Sequence, residues 1–180
     1  MSRRTGAGAR PELGEKRADG ADDGRLEGRN PVLEALRAGR PINKLLVAEG
    51  SKDGSIREIL ALARQRRLII QEVDRKRLDE LAGSRAHQGV LAFVAPKPYV
   101  EIEALLAGAQ ARGESPFLLI LDELEDPQNF GSILRTAEAA GVHGVVIPRR
   151  RAVGLTAAVG KASAGAMEYM PVARVANIAQ

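Results

Sequence analysis

A segment in the second half of the chain holds the residues whose types and spacing are best suited to chemistry. It runs from Asp126 to Gly141 (DPQNFGSILRTAEAAG) and follows a strand-like apolar run from Phe117 to Leu121. Asn129, Gly131 and Arg135 bring an amide, a glycine and a cation to the opening of a predicted helix. A core helix needs neither Asp-Pro before it nor Asn-x-Gly in its first turn. The segment therefore predicts a site that holds a nucleotide or a cofactor against backbone.

Arg135 carries the most direct chemistry in this segment. A guanidinium stays protonated at physiological pH and is therefore a poor base. It is suited to a bidentate contact with a phosphate and to stabilising negative charge that develops on an oxygen. The sequence leaves open whether Arg135 also removes a proton. The alternative is an exposed arginine that pairs with Glu138, three residues further along the helix.

The residues before Arg135 are predicted to shape the site. Asn129 is expected to cap the helix and to point its amide into the site, and a cap alone is the alternative. Gly131 allows a close approach of backbone, for which helix packing is the plain explanation. Asp126 and Pro127 are expected to set the course of the loop.

The composition of the 180 residues excludes several kinds of site. There is no cysteine, which excludes disulfides, thiolate metal sites and a cysteine nucleophile. With only two histidines, His87 and His143, neither a histidine metal site nor a catalytic triad is expected, and no metal is predicted. No apolar run approaches the roughly 20 residues that a membrane helix needs. The N-terminal arginines precede no apolar stretch, so no secretory signal is predicted and the protein is expected in the cytoplasm.

The positive charge is concentrated towards the end of the chain. The net charge is +4, and the residues from 145 onward hold five cations against one acid, Glu168. Three of those cations, Arg149, Arg150 and Arg151, are consecutive. Arginine is suited to bidentate phosphate contacts, although a GC-rich genome also raises its content. By default the three arginines form a solvated loop.

Periodicity predicts two α/β units. Residues 1–24 are predicted to be a disordered tail, because they contain too little apolar surface to offset the entropy of ordering. The first unit, residues 25–96, alternates helices and strands, which is typical of an α/β layer sandwich. Its predicted helices begin at Asn30-Pro31 and span 55–66 and 75–81, and its strands span 44–48, 68–73 and 89–94.

A proline-flanked linker, residues 97–99, leads into the second unit, residues 100–180. Its strands alternate with helices, which predicts parallel pairing with right-handed crossovers. The predicted helices span 100–112, 129–140 and 156–165, and the strands span 117–122, 144–148 and 171–175. Ligands gather at the carboxyl ends of such strands, where the loop 122–129 lies. The Gly-rich dinucleotide fingerprint and the P-loop are both absent from the sequence.

The pattern Asn129-x-Gly131-x-x-x-Arg135 resembles the first signature motif of the SpoU/TrmH class of RNA ribose 2'-O-methyltransferases, in the SPOUT superfamily. The stretch Lys161–Glu168 (KASAGAME) is similar to the segment that follows this motif in the family. The resemblance implies S-adenosylmethionine as cofactor, Arg135 handling the target ribose 2'-hydroxyl, and Asn129 and Gly131 near substrate or cofactor. It also implies that Arg149, Arg150 and Arg151 meet RNA phosphate.

The first unit carries a second resemblance. Gly28–Leu36 (GRNPVLEAL) and His87–Val90 (HQGV) resemble the two ends of the family's RNA-recognition domain, which is similar to ribosomal protein L30e. These two segments most resemble those of the family members that methylate guanosine in large-subunit ribosomal RNA. The resemblance implies RNA contacts for Arg29, Asn30 and His87. The alternatives are helix-start residues for Arg29 and Asn30, and a structural turn histidine for His87.

The family's second and third motifs, which complete the trefoil-knot cofactor site, do not occur in the sequence. The expected fold is therefore a small L30e-like α/β domain followed by the N-terminal part of a SPOUT (α/β knot) methyltransferase domain, with the knot segment missing. We expect the intact parent to be a homodimer and the 180-residue chain to be inactive alone. No cofactor contact is assigned to a residue of this chain.

The leading functional hypothesis is S-adenosylmethionine-dependent 2'-O-methylation of structured RNA, namely a guanosine of large-subunit ribosomal RNA. One alternative is a non-catalytic RNA-binding module. Another is a ribosomal RNA methyltransferase of the same family that gives antibiotic resistance.

Overall fold

The computed structural model describes residues 24–51, 53–82 and 86–179, so the predicted disordered tail lies outside the described residues except for Gly24. The strands are β1 (Arg25–Glu27), β2 (Ile42–Ala48), β3 (Ile70–Val73), β4 (Val90–Val94), β5 (Leu118–Ile120), β6 (Gly144–Pro148) and β7 (Val172–Val175). The α-helices are α1 (Arg29–Arg37), α2 (Gly54–Gln65), α3 (Arg75–Leu81), α4 (Ile102–Ala111), α5 (Pro127–Ala139) and α6 (Ala157–Ala162), followed by a 3₁₀ turn, Ala166–Glu168. None of the helices described here is long and apolar enough to cross a membrane.

The first sheet has the strand order β1-β4-β2-β3, with β4 antiparallel to β1 and β2 and with β3 parallel to β2. Helices α1 and α2 cover one face, where Leu36 and Ile59 pack against Leu45. Helix α3 covers part of the other face, where Leu78 packs against Leu46. The predicted α/β layering is confirmed.

The second sheet has the order β5-β6-β7, and all three strands are parallel, as predicted. Helices α5 and α6 cover one face through a cluster that includes Phe130, Ile147 and Val159. Helix α4 covers the other face, where Leu105 packs against Val146. Parallel strands place their carboxyl ends at one edge, and the loops that follow β5 and β6 therefore share that edge.

Two sequence predictions in the first unit are wrong. Strand β1 was not predicted, because three residues with charged Arg25 and Glu27 around Leu26 are too short for alternation to reveal. Helix α1 begins at Arg29 rather than at Asn30, after Gly28, whose φ of 98° suits glycine.

A buried ion pair joins the two units. Arg40 Nη1 lies 2.7 Å from Glu168 Oε1, and the two side chains are 7% and 4% exposed. Arg40 also donates to the carbonyl of Ala95 through Nε at 3.1 Å and Nη2 at 2.7 Å. These contacts fasten the end of α1, the end of β4 and the 3₁₀ turn together. A buried pair of this kind survives only when hydrogen bonds satisfy its remaining groups, as they do here.

Lys97, in the connection between the units, reinforces the same junction. Its ammonium donates to the carbonyl oxygens of Met167 and Glu168, the latter at 2.7 Å. Burial lowers the pKa of Lys97 to about 8, the carboxylate of Glu168 opposes that shift, and Arg40 adds to it. The connector is therefore docked against the second unit through its lysine.

The third contact of the junction is a close approach between α1 and the residues after α6. A Cβ built on Gly165, which has a φ of 100°, would lie 2.5 Å from Glu34 Cγ. Tyr169 donates its hydroxyl to Glu34 Oε2 at 2.7 Å, and this bond is the main cause that raises the pKa of Tyr169 to about 12. Only glycine fits at residue 165, and its lack of a side chain allows the two units to approach each other closely here.

We expect Glu168→Gln to destabilise the protein by about 3–5 kcal/mol, because it removes the carboxylate that faces the buried Arg40 charge. Urea unfolding followed by circular dichroism measures the loss. Glu80→Gln is the matched control, because it removes a carboxylate from the exposed Arg77–Glu80 pair and should cost under about 0.5 kcal/mol. Equal, small losses in both variants would contradict the structural role given to the junction.

Lys97 makes stability depend on pH in a defined direction. At pH values between the pKa of Lys97 in the folded protein, about 8, and its ordinary pKa of 10.5, the unfolded chain binds more protons than the folded chain. The contribution of Lys97 to stability therefore rises with pH across that window and is smallest below it.

We accordingly expect the wild type to become more stable relative to Lys97→Met as the pH rises above about 8, so that the difference between their free energies of unfolding shifts in favour of the wild type. Urea titrations up to pH ~9.5 would measure this gain and stay below the window in which Tyr169 titrates. Lys76→Met, on the exposed surface of α3, should show no such trend. A constant difference between wild type and Lys97→Met would rule out the buried amine as the source.

Candidate functional site

The loops after β5 and β6 meet at the carboxyl edge of the second sheet. The amide of Val153 donates to the carbonyl of Leu124 at 2.8 Å, and Arg151 Nη1 lies 3.2 Å from Glu123 Oε1. Glu123 and Arg151 have φ values of 53° and 54°, in the left-handed region that non-glycine residues seldom occupy. The loop that precedes the Asn-x-Gly-x-x-x-Arg segment lies at this edge, as the sequence predicts.

Helix α5 begins at Pro127, two residues earlier than predicted. Asp126 is its N-cap and accepts from the amide of Asn129 at 2.6 Å, with Pro127 as the first helical residue. The prediction that Asn129 caps the helix is therefore wrong, because an aspartate followed by proline already provides the cap. The side chain of Asn129 is exposed and makes no hydrogen bond within the described residues, so its amide is available to a ligand.

The exposed face of α5 carries the other candidate residues. Arg135 and Glu138 are both exposed, and the ion pair offered as an alternative between them is not formed. Within the part of the chain that the structure describes, the guanidinium of Arg135 has no hydrogen-bond or ion-pair partner. Six helical residues separate Asn129 from Arg135 by ~9 Å along the axis, so their side chains reach different parts of one ligand rather than each other.

Gly131 lies on the buried face of α5, against α6. A Cβ built there would lie 2.4 Å from Ala162 Cβ and 2.8 Å from the backbone N of Ser163. The structure thus gives Gly131 the packing role that the sequence left as an alternative. The small residues of the Lys161–Glu168 stretch serve the same purpose, since the buried Ser163 donates to the carbonyl of Gly160 at 3.0 Å and accepts from the amide of Met167 at 3.2 Å.

Two residues outside the predicted site, Arg174 and Tyr99, support the second loop. Arg174, near the end of β7, lies with its Cζ 4.6 Å from the ring centre of Tyr99. Arg174 Nη2 donates to the carbonyl of Arg149 at 3.1 Å, and the Tyr99 hydroxyl accepts from the amide of Leu155 at 2.9 Å. Among the described residues, Arg174 Nε is the buried side-chain polar atom without a partner. The available sequence signal was a cation inside the apolar strand VARV.

The arginine run after β6 is exposed, as predicted. Arg151 is held by Glu123, whereas the side chains of Arg149 and Arg150 make no polar contact with the described residues. Arg149 and Arg150 therefore place unneutralised guanidinium groups at the carboxyl edge, whereas Arg135 lies further along α5. No group of three or more carboxylates and histidines that could hold a metal ion occurs in the described ranges 24–51, 53–82 and 86–179.

The RNA-contact candidates of the first unit lie at the start of α1, and not on α5. Arg29 donates through Nε to the carbonyl of Gln88 at 3.1 Å and through Nη2 to Asp53 at 3.1 Å. Asn30 is exposed, with no side-chain hydrogen bond inside the described regions. Arg29 therefore holds the turn that contains Gln88, while Asn30 presents its amide to solvent.

His87 is fully buried. Its Nδ1 accepts from the amide of Gly89 at 3.1 Å, which leaves Nε2 to donate to Asp79 Oδ1 at 2.8 Å. This arrangement favours the structural turn role that the sequence analysis kept as an alternative. The RNA contact of His87 remains a prediction.

Comparison with known proteins places both units in one family. A family model described as RNA 2'-O ribose methyltransferase substrate binding matches residues 25–100, and one described as SpoU rRNA Methylase family matches residues 116–180. The chain is 51% identical over 153 residues to a putative TrmH family tRNA/rRNA methyltransferase, YacO, of Bacillus subtilis, covering 85% of this chain and 61% of that protein. It is 49% identical over 154 residues to a putative TrmH family tRNA/rRNA methyltransferase of Staphylococcus saprophyticus, with 86% and 61% covered. The chain thus spans less than two thirds of the length of these relatives.

Solved structures give the same result. The SpoU methyltransferase AviRb from Streptomyces viridochromogenes superimposes with a TM-score of 0.67 at 26% identity, over 86% of this chain and 54% of that one. An AdoMet-bound rRNA methyltransferase from Sinorhizobium meliloti gives a TM-score of 0.65 at 25% identity, over 83% and 53%. Two matched family models, half-identical relatives and a shared fold show that the chain belongs to the SpoU/TrmH family of RNA methyltransferases.

Proposed function

We propose that this chain is the part of an S-adenosylmethionine-dependent RNA methyltransferase that selects the RNA and presents it to the reacting edge, and that the reaction is 2'-O-methylation of a ribose. The observation that carries the proposal is Arg135, an exposed arginine without a polar partner among the described residues, on the helix that leaves the carboxyl end of β5. Matches to both a substrate-binding and a methylase family model support it.

The chemistry requires positioning and charge stabilisation rather than a covalent intermediate. S-adenosylmethionine, when bound, supplies an electrophilic methyl group. In that reaction the ribose 2'-oxygen would accept the methyl group, the methyl–sulfur bond would break, and the hydroxyl proton would leave to a base or to water. Arg135 holds the adjacent phosphate and stabilises the oxygen as negative charge develops on it.

The residues at this edge are compatible with such a cofactor. Asn129 presents an amide, and Arg174 keeps one buried N–H without an acceptor in the described structure. Polar donors at the carboxyl edge of a parallel sheet suit a ligand that combines a nucleoside with a carboxylate. We assign no cofactor contact to a particular residue.

Ribosomal RNA is the substrate that we propose, with a guanosine of the large subunit as its target. The matched methylase family is described as acting on rRNA, and so is the Sinorhizobium meliloti protein. Arg149 and Arg150 offer unpaired guanidinium groups to phosphate at the same edge. We also propose that the intact protein is a homodimer in the cytoplasm.

We expect Arg135→Ala to lower methyl transfer about 100-fold or more, as removal of a single charge-stabilising donor does elsewhere. The assay follows labelled methyl from S-adenosylmethionine into ribosomal RNA. Alkaline digestion then identifies the position, because a linkage with a methylated 2'-oxygen resists cleavage. Arg112→Ala is the control, because Arg112 is also exposed but lies at the end of α4, away from α5.

Both the 180-residue chain and a fusion that adds the additional segment of the Bacillus subtilis relative would be assayed. Activity confined to the fusion fits the expectation that this chain alone is inactive. Methyl groups found only on bases, or equal activity of the Arg135→Ala and Arg112→Ala variants, would contradict the proposed role of Arg135.

A further inference from the structure

One end of the first sheet presents a row of residues that α3 covers only in part. Arg25 on β1 pairs with Phe93 on β4, and Phe93 pairs in turn with Lys44 on β2. Ile69 continues the row, because it precedes Ile70, the partner of Leu45. Three neighbouring strands thus contribute a cation, an aromatic ring and a second cation, and the residue before β3 adds an aliphatic side chain.

All four side chains lie on the same face of the sheet. Successive residues of a strand point to opposite faces. Leu26, Leu45 and Ala92 belong to the core under α1 and α2, so their neighbours Arg25, Lys44 and Phe93 point to the other face. Phe93 packs at the margin of the small cluster under α3.

Helix α3 has only seven residues, and its buried Leu78 covers the next row of the sheet, Leu46 and Leu91. The row beyond it stays accessible: Phe93 and Lys44 are half-buried, and Ile69 is 65% exposed. Lys44 lies between Ile69 and Phe93, so cations and apolar side chains alternate along the row.

The charges around this face suit an anionic partner. Arg25 is fixed in place because its Nη1 donates to the carbonyl of Leu81. Lys44 makes no polar contact with the described residues, and Arg66 and Arg67, just before β3, are exposed. Glu27 lies on the same face, one row closer to α3, where it pairs with Leu91 rather than with Phe93.

We propose that Arg25, Phe93, Lys44 and Ile69 form a platform that binds a single-stranded segment of the RNA substrate, with a base stacked on Phe93 and its phosphates near Lys44 and Arg25. Single strands are commonly bound by aromatic rings on a sheet surface flanked by cations. The inference deepens the proposed function and rests on RNA being the substrate.

The platform faces away from the junction between the units. Leu26, whose side chain points to the opposite face, is the β1 residue that approaches α6, since a Cβ on Gly160 would lie 3.5 Å from Leu26 Cδ2. The bound segment therefore lies apart from Arg135. It contributes to affinity and to the choice of RNA, and not to the chemical step.

The chain contains no tryptophan, which allows a direct test. Phe93→Trp introduces a single indole, and titration with a 12-nucleotide oligouridine should quench its fluorescence in a saturable way that weakens with salt. In that background, Lys44→Ala should weaken binding roughly three- to tenfold. Arg112→Ala should leave it unchanged.

Phe93→Leu provides an independent test, because it keeps an apolar side chain but removes the stacking surface. Anisotropy of a fluorescein-labelled oligouridine should show roughly tenfold weaker binding. RNA binding without indole quenching, or equal effects of Lys44→Ala and Arg112→Ala, would overturn the platform and leave the proposed methyl transfer standing. No RNA binding by the folded chain would overturn both.

Discussion

The arrangement of the two units depends on the buried pair of Arg40 and Glu168. Removing two charges from water is costly, and the pair is tolerated because Ala95 accepts two further hydrogen bonds from Arg40 and because Lys97 binds the backbone of the same turn. That turn follows α6, α6 packs on α5 at Gly131, and α5 carries Arg135. A continuous series of close contacts therefore links the first unit to Arg135. Small residues keep the series rigid, since at Gly131 and Gly165 even one methyl group would overlap its neighbour.

The parallel pairing of β5, β6 and β7 determines which edge of the second sheet carries the loops of the candidate site. It brings two loops to one edge and lets them bind each other through Leu124, Val153, Glu123 and Arg151. With these groups satisfied, the polar side chains left without partners among the described residues include Asn129, Arg135, Arg149 and Arg150. A guanidinium that no local carboxylate neutralises can give its full charge to a phosphate or to an oxygen that becomes negative. In this respect the missing Arg135–Glu138 pair supports the functional interpretation.

Periodicity was sufficient for most of the fold. It predicted α3 and β6 with their observed bounds, because each has a clear apolar pattern between turn residues. It missed β1, which is too short for any pattern, and it placed the cap of α5 at Asn129, although Asp126 with Pro127 is the stronger signal. The candidate site was predictable where it depended on a local motif, as for Arg135. The contacts of Arg174 with Tyr99 and of Arg40 with Glu168 could not be predicted, because they join residues far apart in the chain and nothing local marks either partner.

The separation of Arg40 from Glu168 also has a consequence for synthesis. The two residues lie 128 positions apart, and a ribosome that adds roughly 5–20 residues per second needs about 6–25 s to add the second after the first. During this interval the first sheet can assemble, but Arg40 lacks the carboxylate of Glu168. The surface of α1 that later meets Gly165 and Tyr169 is likewise uncovered. The surface of the nascent first unit around Arg40 and α1 thus stays exposed to solvent until Gly165, Glu168 and Tyr169 have been synthesised.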